Sequence, residues 1–142
     1  MTTILYVEDE LWRYQSVLKV LEVDYDIVTA RDADQALTVL RAYMDDAQKP
    51  DIDLIVLDIN MPDVDSIPDP NDGRTSGVQF ARVVLKELGF DIPIICYTVY
   101  NNAMIYEELL EDIGVKEIVS KTKSTMELRE IIQKYLSPAN NA

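Results

Sequence analysis

Apolar residues occur along this chain in short unbroken runs, separated by stretches in which they recur at helical spacing. The first run, Thr3-Ile4-Leu5-Tyr6-Val7, ends in Glu8-Asp9-Glu10 and predicts a strand. Tyr14, Val17, Leu18 and Leu21 then follow the period of a helix with one buried face. Tyr25 to Thr29 predicts a second strand, and Asp32 with Gln35 caps a helix that carries Ala36, Leu37, Leu40 and Met44. Pro50 breaks the chain before Leu54-Ile55-Val56-Leu57, an apolar run typical of a strand buried on both faces, which leads into Asp58 and the turn at Pro62. Ser76 and Gln79 stand in capping-box spacing before a helix through Phe80 and Leu85 that stops at Gly89. Ile92 to Tyr97 is the fourth strand, ending at Thr98. Asn101 or Asn102 caps a helix through Ile105, Leu109 and Ile113, closed by Gly114. Val115 to Val119 is the fifth strand, followed by Ser120-Lys121-Thr122. Ser124 and Glu127 open a last helix with Leu128, Ile131, Ile132 and Tyr135 on one face. Met104 and Met126 read as core residues beside these leucines. The polar tail from Ser137 to Ala142 is expected to fray.

Strands that alternate with helices build a parallel sheet with helices on both faces, joined by right-handed crossovers. Ligands of such sheets sit outside the carboxyl ends of the strands. Four polar markers fall at those ends: Glu8-Asp9, Asp58, Thr98 and Lys121. Each has an ordinary reading by itself. Glu8-Asp9 suits a helix N-terminus, Thr98 suits a turn, and Lys121 suits the surface. Their joint placement at one rim favours a site, and a carboxylate ending a buried strand needs a partner for its charge.

Composition narrows the chemistry. With 142 residues the chain makes one domain, and 48% hydrophobic against 27% charged residues marks it as globular. Cys96, the one cysteine, lies in an apolar run and suggests a packing role in a reduced compartment. No apolar stretch reaches the ~20 residues of a membrane span, and the chain enters a strand at once without a signal peptide, so a cytoplasmic location is expected. The net charge of −13, without a cluster of Lys and Arg, argues against direct nucleic-acid binding. The chain contains no histidine, which leaves zinc or imidazole chemistry without ligands. Three carboxylates in one pocket repel unless a cation neutralises them, and hard oxygen donors suit Mg²⁺. A lysine and a hydroxyl opposite the metal would stabilise a phosphoryl group arriving on one carboxylate.

Ile4 to Glu10, Val56 to Asp63, Thr98 and Lys121 resemble the receiver (phosphoacceptor) domain of bacterial two-component response regulators, over about residues 3–136. The resemblance implies a flavodoxin-like (βα)5 three-layer sandwich with sheet order 2-1-3-4-5. It implies that Asp58 takes a phosphoryl group from a histidine kinase or phosphotransfer protein. Asp9 would bind Mg²⁺ directly and Glu8 through water, Asn60 would offer its backbone carbonyl to the metal, and Thr98 and Lys121 would contact phosphate oxygens. Residues 1–137 would form the receiver and 138–142 a flexible tail. With no output domain after the last helix, signalling would pass by contact with a downstream protein target, with homodimer formation open. By the same resemblance the contact face is the fourth helix, fifth strand and fifth helix, or the first helix for a kinase.

The chain departs from the family pattern at several positions. Thr122 replaces the usual proline after the lysine, so that peptide is either trans or strained if cis. Ile118 replaces the aromatic switch residue, Val99 stands where a small residue is common, and Tyr100 beside it could shield an acyl phosphate from water. Residues 63–75 are longer than an ordinary turn and carry four aspartates (63, 65, 69 and 72), which reads as a tolerated insertion or as a partner- or cation-sensing flap. Asp69, Asn71 and Gly73 resemble part of a calcium loop, without the closing glutamate. Trp12 lies off the apolar stripe, either exposed near the acid pair or partly covered by the neighbouring loop. Three functions compete. The first is a phosphorylation switch, the second a pseudo-receiver binding module. The third, a phosphohydrolase, needs a second acid where Asn60 stands.

Overall fold

The computed structural model describes residues 2–61, 67 and 75–136. The expected loop over 63–75 lies, apart from Ile67 and Thr75, outside the described residues, as do Pro62 and the tail. Five strands, β1 (Thr3–Val7), β2 (Asp26–Ala30), β3 (Leu54–Leu57), β4 (Ile94–Thr98) and β5 (Glu117–Ser120), form one parallel sheet in the order β2-β1-β3-β4-β5. Fold and strand order are those expected. The boundaries of β2, β4 and β5 fall one or two residues later than the apolar runs suggest. Residues such as Ile92 and Val115 are buried before their strands pair, so an apolar run marks burial rather than ladder hydrogen bonds.

Five helices cover the sheet: α1 (Gln15–Glu22), α2 (Ala33–Asp45), α3 (Ser76–Arg82), α4 (Ala103–Glu107) and α5 (Thr125–Leu136). Helices α3 and α4 continue as wider π-helical turns over Val83–Glu87 and Glu108–Ile113, where N–H groups reach back five residues, as Leu88 does to Val83 and Gly114 to Leu109. Gly114 closes the second at φ +98°, a left-handed conformation that strains any residue with a Cβ. The caps agree largely with the sequence. Asp32 accepts from the Gln35 N–H at 2.7 Å, Asn102 accepts from the N–H groups of Met104 and Ile105, and Ser124 accepts from that of Glu127. Ser76 is an exception: it is the first helical residue, with Thr75 in the cap position. The first helix is also shorter than its pattern, because Leu11–Arg13 form a separate 3-10 turn ahead of α1.

The alternation of side chains across each strand divides the core in two. Leu5, Val7, Ile55, Leu57, Ile94 and Cys96 face α2, α3 and α4, where Leu40, Phe80 and Leu109 cover them. Ile4, Tyr6, Val56, Tyr97 and Val119 face α1 and α5. A fully buried side chain such as Phe80 or Leu21 stabilises the fold by ~1.5–3 kcal/mol. β1, β3 and β4 are buried along their whole length, which is why they read as unbroken apolar runs. Ile67 is also buried, in the α2–α4 half of the core.

Two core assignments are corrected. Met104 is 81% exposed and Met126 is 50% exposed. Both lie in the first turn of their helices, well off the stripes of Leu109 and Ile113 in one and Leu128 and Ile132 in the other. Cys96 is fully buried, in keeping with a packing role, and that burial raises its thiol pKa well above the usual range. Among the described residues, no helix is long and apolar enough to cross a membrane.

Candidate functional site

The sheet positions the polar residues by continuing its ladder one residue past the strands. The Glu8 N–H donates to the Ala30 carbonyl at 2.9 Å, and the Asp58 N–H donates to the Val7 carbonyl at 3.1 Å. The Lys121 N–H donates to the Thr98 carbonyl at 3.0 Å. These bonds tie the ends of β2, β1 and β3 side by side, and those of β4 and β5. Two-residue alternation then sets Glu8 above Tyr6, Asp58 above Val56 and Lys121 above Val119, all over the half of the core that faces α1 and α5.

The carboxylates are withdrawn from water: Glu8 is 2% exposed and Asp58 6%. Asp9 is half-buried, and one oxygen from each of the three acids lies within 4.8 Å of the others. Lys121 joins them. Its Nζ donates to Asp58 Oδ2 at 3.1 Å and also to Glu8 Oε1. Further donors come from the backbone, with the Glu10 N–H 3.3 Å from Glu8 Oε2 and the Asn60 N–H 3.4 Å from Asp58 Oδ1. The Lys121 Nζ also lies 4.1 Å from the centroid of the Tyr14 ring. Together with Asp9, Asn60, Val99 and Tyr14, Asp58 and Lys121 line an open cleft of about 400 Å³.

The charges are not balanced within the site. Burial, and then the neighbouring Asp58 charge, raise the Glu8 pKa to about 8 against the opposing pull of Lys121. Burial acts to lower the Lys121 pKa, but Asp58 and Glu8 outweigh it and the net shift is upward. Lys121 is therefore a fixed cation, and Glu8 is driven toward its neutral form because one lysine does not offset the crowded carboxylates. A further cation would relieve the imbalance.

Thr98 stands at the rim, 1% exposed, with its Oγ1 accepting the Tyr100 N–H at 3.1 Å. Asn60 is exposed beside Asp58. Val99 is exposed and lines the edge of the cleft. Tyr100, unlike Val99, is not among the residues that line the cleft. It packs toward the α2–α4 half of the core, and its carbonyl accepts the Tyr106 hydroxyl. Ile118 packs on that same half. Thr122 is exposed, its hydroxyl pairs with that of Ser120 at 2.8 Å, and no cis peptide occurs among the described residues. Trp12 is exposed, with the Arg13 guanidinium 5.1 Å over its ring.

Three residues at the site escaped the sequence reading. Tyr14 fits a helical stripe by its spacing; it stands instead at the junction between the 3-10 turn and α1, over the lysine. Gly77 lies where a Cβ would come within 2.2 Å of the Asp58 carbonyl oxygen, and its N–H donates to the Ile59 carbonyl. An isolated glycine in the first turn of a helix is the one signal that could have pointed to it. Tyr6, wholly buried beneath Glu8, has a hydroxyl with no hydrogen-bond partner among the described residues. Only its place two residues before Glu8 could have flagged it.

The donor set fits a small hard cation. Three carboxylates supply oxygen only, and their mutual spacing is compatible with ligands at the ~2.0–2.1 Å that Mg²⁺ demands. An acidic, lysine-bearing rim at the carboxyl edge of a 2-1-3-4-5 sheet defines a flavodoxin-like α/β protein whose pocket suits a cation together with an anionic group. Comparison carries this further. The response regulator receiver domain family matches residues 4–133, and the chain belongs to that family. Solved structures share its fold. A CheY-like receiver domain protein of Methanospirillum hungatei is 20% identical, with 96% of this chain and 94% of that one covered at a TM-score of 0.75. The chemotaxis protein CheY4 of Vibrio cholerae is 23% identical over 95% and 98% of the two chains, with a TM-score of 0.70. The activated receiver domain of RstA from Klebsiella pneumoniae is 21% identical over 96% and 99%, at 0.71. No curated protein matches the chain in sequence. Receiver domains are signalling modules of two-component systems and bind Mg²⁺ at an acidic pocket.

Proposed function

We propose that this receiver domain, taken as residues 1–137, is a phosphorylation switch with Asp58 as the acceptor. A histidine kinase or phosphotransfer protein would be the donor, and protein–protein contact with a downstream target would carry the signal. The observation that carries this reading is the clasp of Lys121 on Asp58 and Glu8 beside the third acid, Asp9. An Asp58 oxygen attacks phosphorus, the bond from phosphorus to the donor atom breaks, and the donor leaves with that electron pair. A departing imidazole takes up a proton from solvent. Lys121, already at 3.1 Å from Asp58, then pairs with the new phosphoryl oxygens.

Asp9, Asp58 and the Asn60 carbonyl would hold Mg²⁺, with Glu8 joining through water. When bound, the ion supplies positive charge beside the carboxylates and the incoming phosphoryl oxygens. Thr98 would turn its hydroxyl from the Tyr100 N–H toward the phosphoryl group, which gives the rim two states. The pseudo-receiver and phosphohydrolase readings gain nothing from this geometry.

The test is intact-mass measurement after incubation with acetyl phosphate and Mg²⁺. Wild type is expected to gain one phosphoryl group, and Asp58→Asn is expected to gain none. Equal uptake by the two proteins would move the acceptor elsewhere.

A further inference from the structure

Lys121 is held by more than its two carboxylates. Its ammonium lies 4.1 Å from the centroid of the Tyr14 ring, and Tyr14 meets Tyr97 edge-on, with ring centroids 6.3 Å apart and planes at 70°. Tyr97 is buried on β4, and Tyr6 is buried on β1 in the same half of the core. The lysine side chain is 7% exposed, enclosed by acids on one side and an aromatic ring on another. A cation over an aromatic face gains most when, as here, water is excluded from it.

The backbone supports this contact. Tyr14 is the last residue before α1, with its N–H on the Leu11 carbonyl and its own carbonyl accepting the Leu18 N–H. Both ends of the residue are fixed, and Tyr97 braces the ring from the side. A flexible lysine just past an edge strand would otherwise have many ways of reaching two carboxylates. The ring removes most of them.

We propose that Tyr14 is a positioning residue that clamps Lys121 against Asp58 and Glu8, keeping the ammonium oriented for the phosphoryl group. The role in transfer rests on the phosphoacceptor reading given above; the clamp itself does not. The ring face is the main acting part; the Tyr14 hydroxyl also bears on Lys121, but as the smallest of the influences that raise its pKa, so Tyr14→Phe should preserve the effect. Tyr14→Leu keeps an apolar side chain of helical propensity but removes the aromatic face.

Two measurements on the full chain test this. In protein carrying ¹³C-labelled lysine, with Lys121 assigned through Lys121→Arg, its ε-methylene protons should be shifted upfield by the ring in wild type and Tyr14→Phe. They should return to ordinary values in Tyr14→Leu. In parallel, the initial rate of phosphoryl uptake from acetyl phosphate should stay within about twofold of wild type for Tyr14→Phe and fall about tenfold for Tyr14→Leu, the scale of a desolvated cation–π contact. The Mg²⁺ concentration at half-saturation should be unchanged, which a general loss of folding would not allow. An ordinary Lys121 shift in wild type would overturn the clamp, and equal rates for all three proteins would overturn its role in transfer. Absence of uptake by wild type, with the ring shift present, would support the clamp and overturn the phosphoacceptor reading on which the transfer role depends.

Discussion

A methyl group on residue 77 would lie 2.2 Å from the Asp58 carbonyl oxygen and 2.6 Å from the Ile59 Cα, both backbone atoms without freedom to move aside. The start of α3 therefore rests directly on the peptide that presents Asp58, and the absent side chain is what allows it. Gly77→Ala is expected to cost ~1–3 kcal/mol, the range of an overpacked site, read as a lower midpoint in urea denaturation with unchanged slope. It should also slow phosphoryl uptake, because relief of the clash displaces the Asp58 main chain. An unaltered midpoint would mean that α3 can shift as a body without strain. The same scale holds a contrast between two wholly buried polar side chains. Glu8 is engaged by Lys121 and by the Glu10 N–H, whereas the Tyr6 hydroxyl two residues earlier has no hydrogen-bond partner among the described residues. Burial alone, then Glu8 and other neighbours, push the Tyr6 pKa upward, so the phenol remains neutral beneath the acids.

At the scale of elements, the caps carry much of what short helices cannot supply themselves. α4 spans Ala103–Glu107 before its π-helical continuation, and Asn102 receives two of its first N–H groups at 3.0 and 3.1 Å. Asn102→Ala is expected to lower stability by ~1 kcal/mol and Asn102→Asp to leave it nearly unchanged, compared by thermal denaturation. Such caps were legible in the sequence because they depend on one side chain and a fixed spacing. Asp32 and Ser124 were read for the same reason. The apolar runs at Ile4 and Leu54 were equally plain, since strands buried on both faces leave no polar position. What was not legible depended on direction. Met104 and Met126 have core-type side chains but sit where the first helical turn points outward, and composition cannot distinguish the two cases. Tyr14 fits a helical stripe by number, yet the chain breaks into a 3-10 turn just before it and places the ring at the rim. Gly77 is defined by a backbone 18 or 19 residues away in sequence, which no local pattern encodes. The four polar markers converged because each ends a strand of one parallel sheet, and the fold alone places them together.

Across the whole molecule, the sheet divides the protein into unequal neighbourhoods. β1, β3 and β4 are covered on both faces, while β2 and β5 form the edges and include residues open to solvent. The site straddles that division: Glu8 and Asp58 follow interior strands, but Lys121 follows the edge strand β5. Local opening of a protein costs less where fewer apolar groups are uncovered. In amide hydrogen exchange, the N–H groups of Glu117–Ser120 should therefore exchange sooner than those of Ile4–Val7 and Ile55–Leu57, and uniform protection would contradict this. The lysine would then leave its acids through excursions of β5 and α5 that never unfold the middle of the sheet. A partner that grips this edge could slow those excursions and lengthen the time the ammonium spends in place, without touching a single group in the cleft.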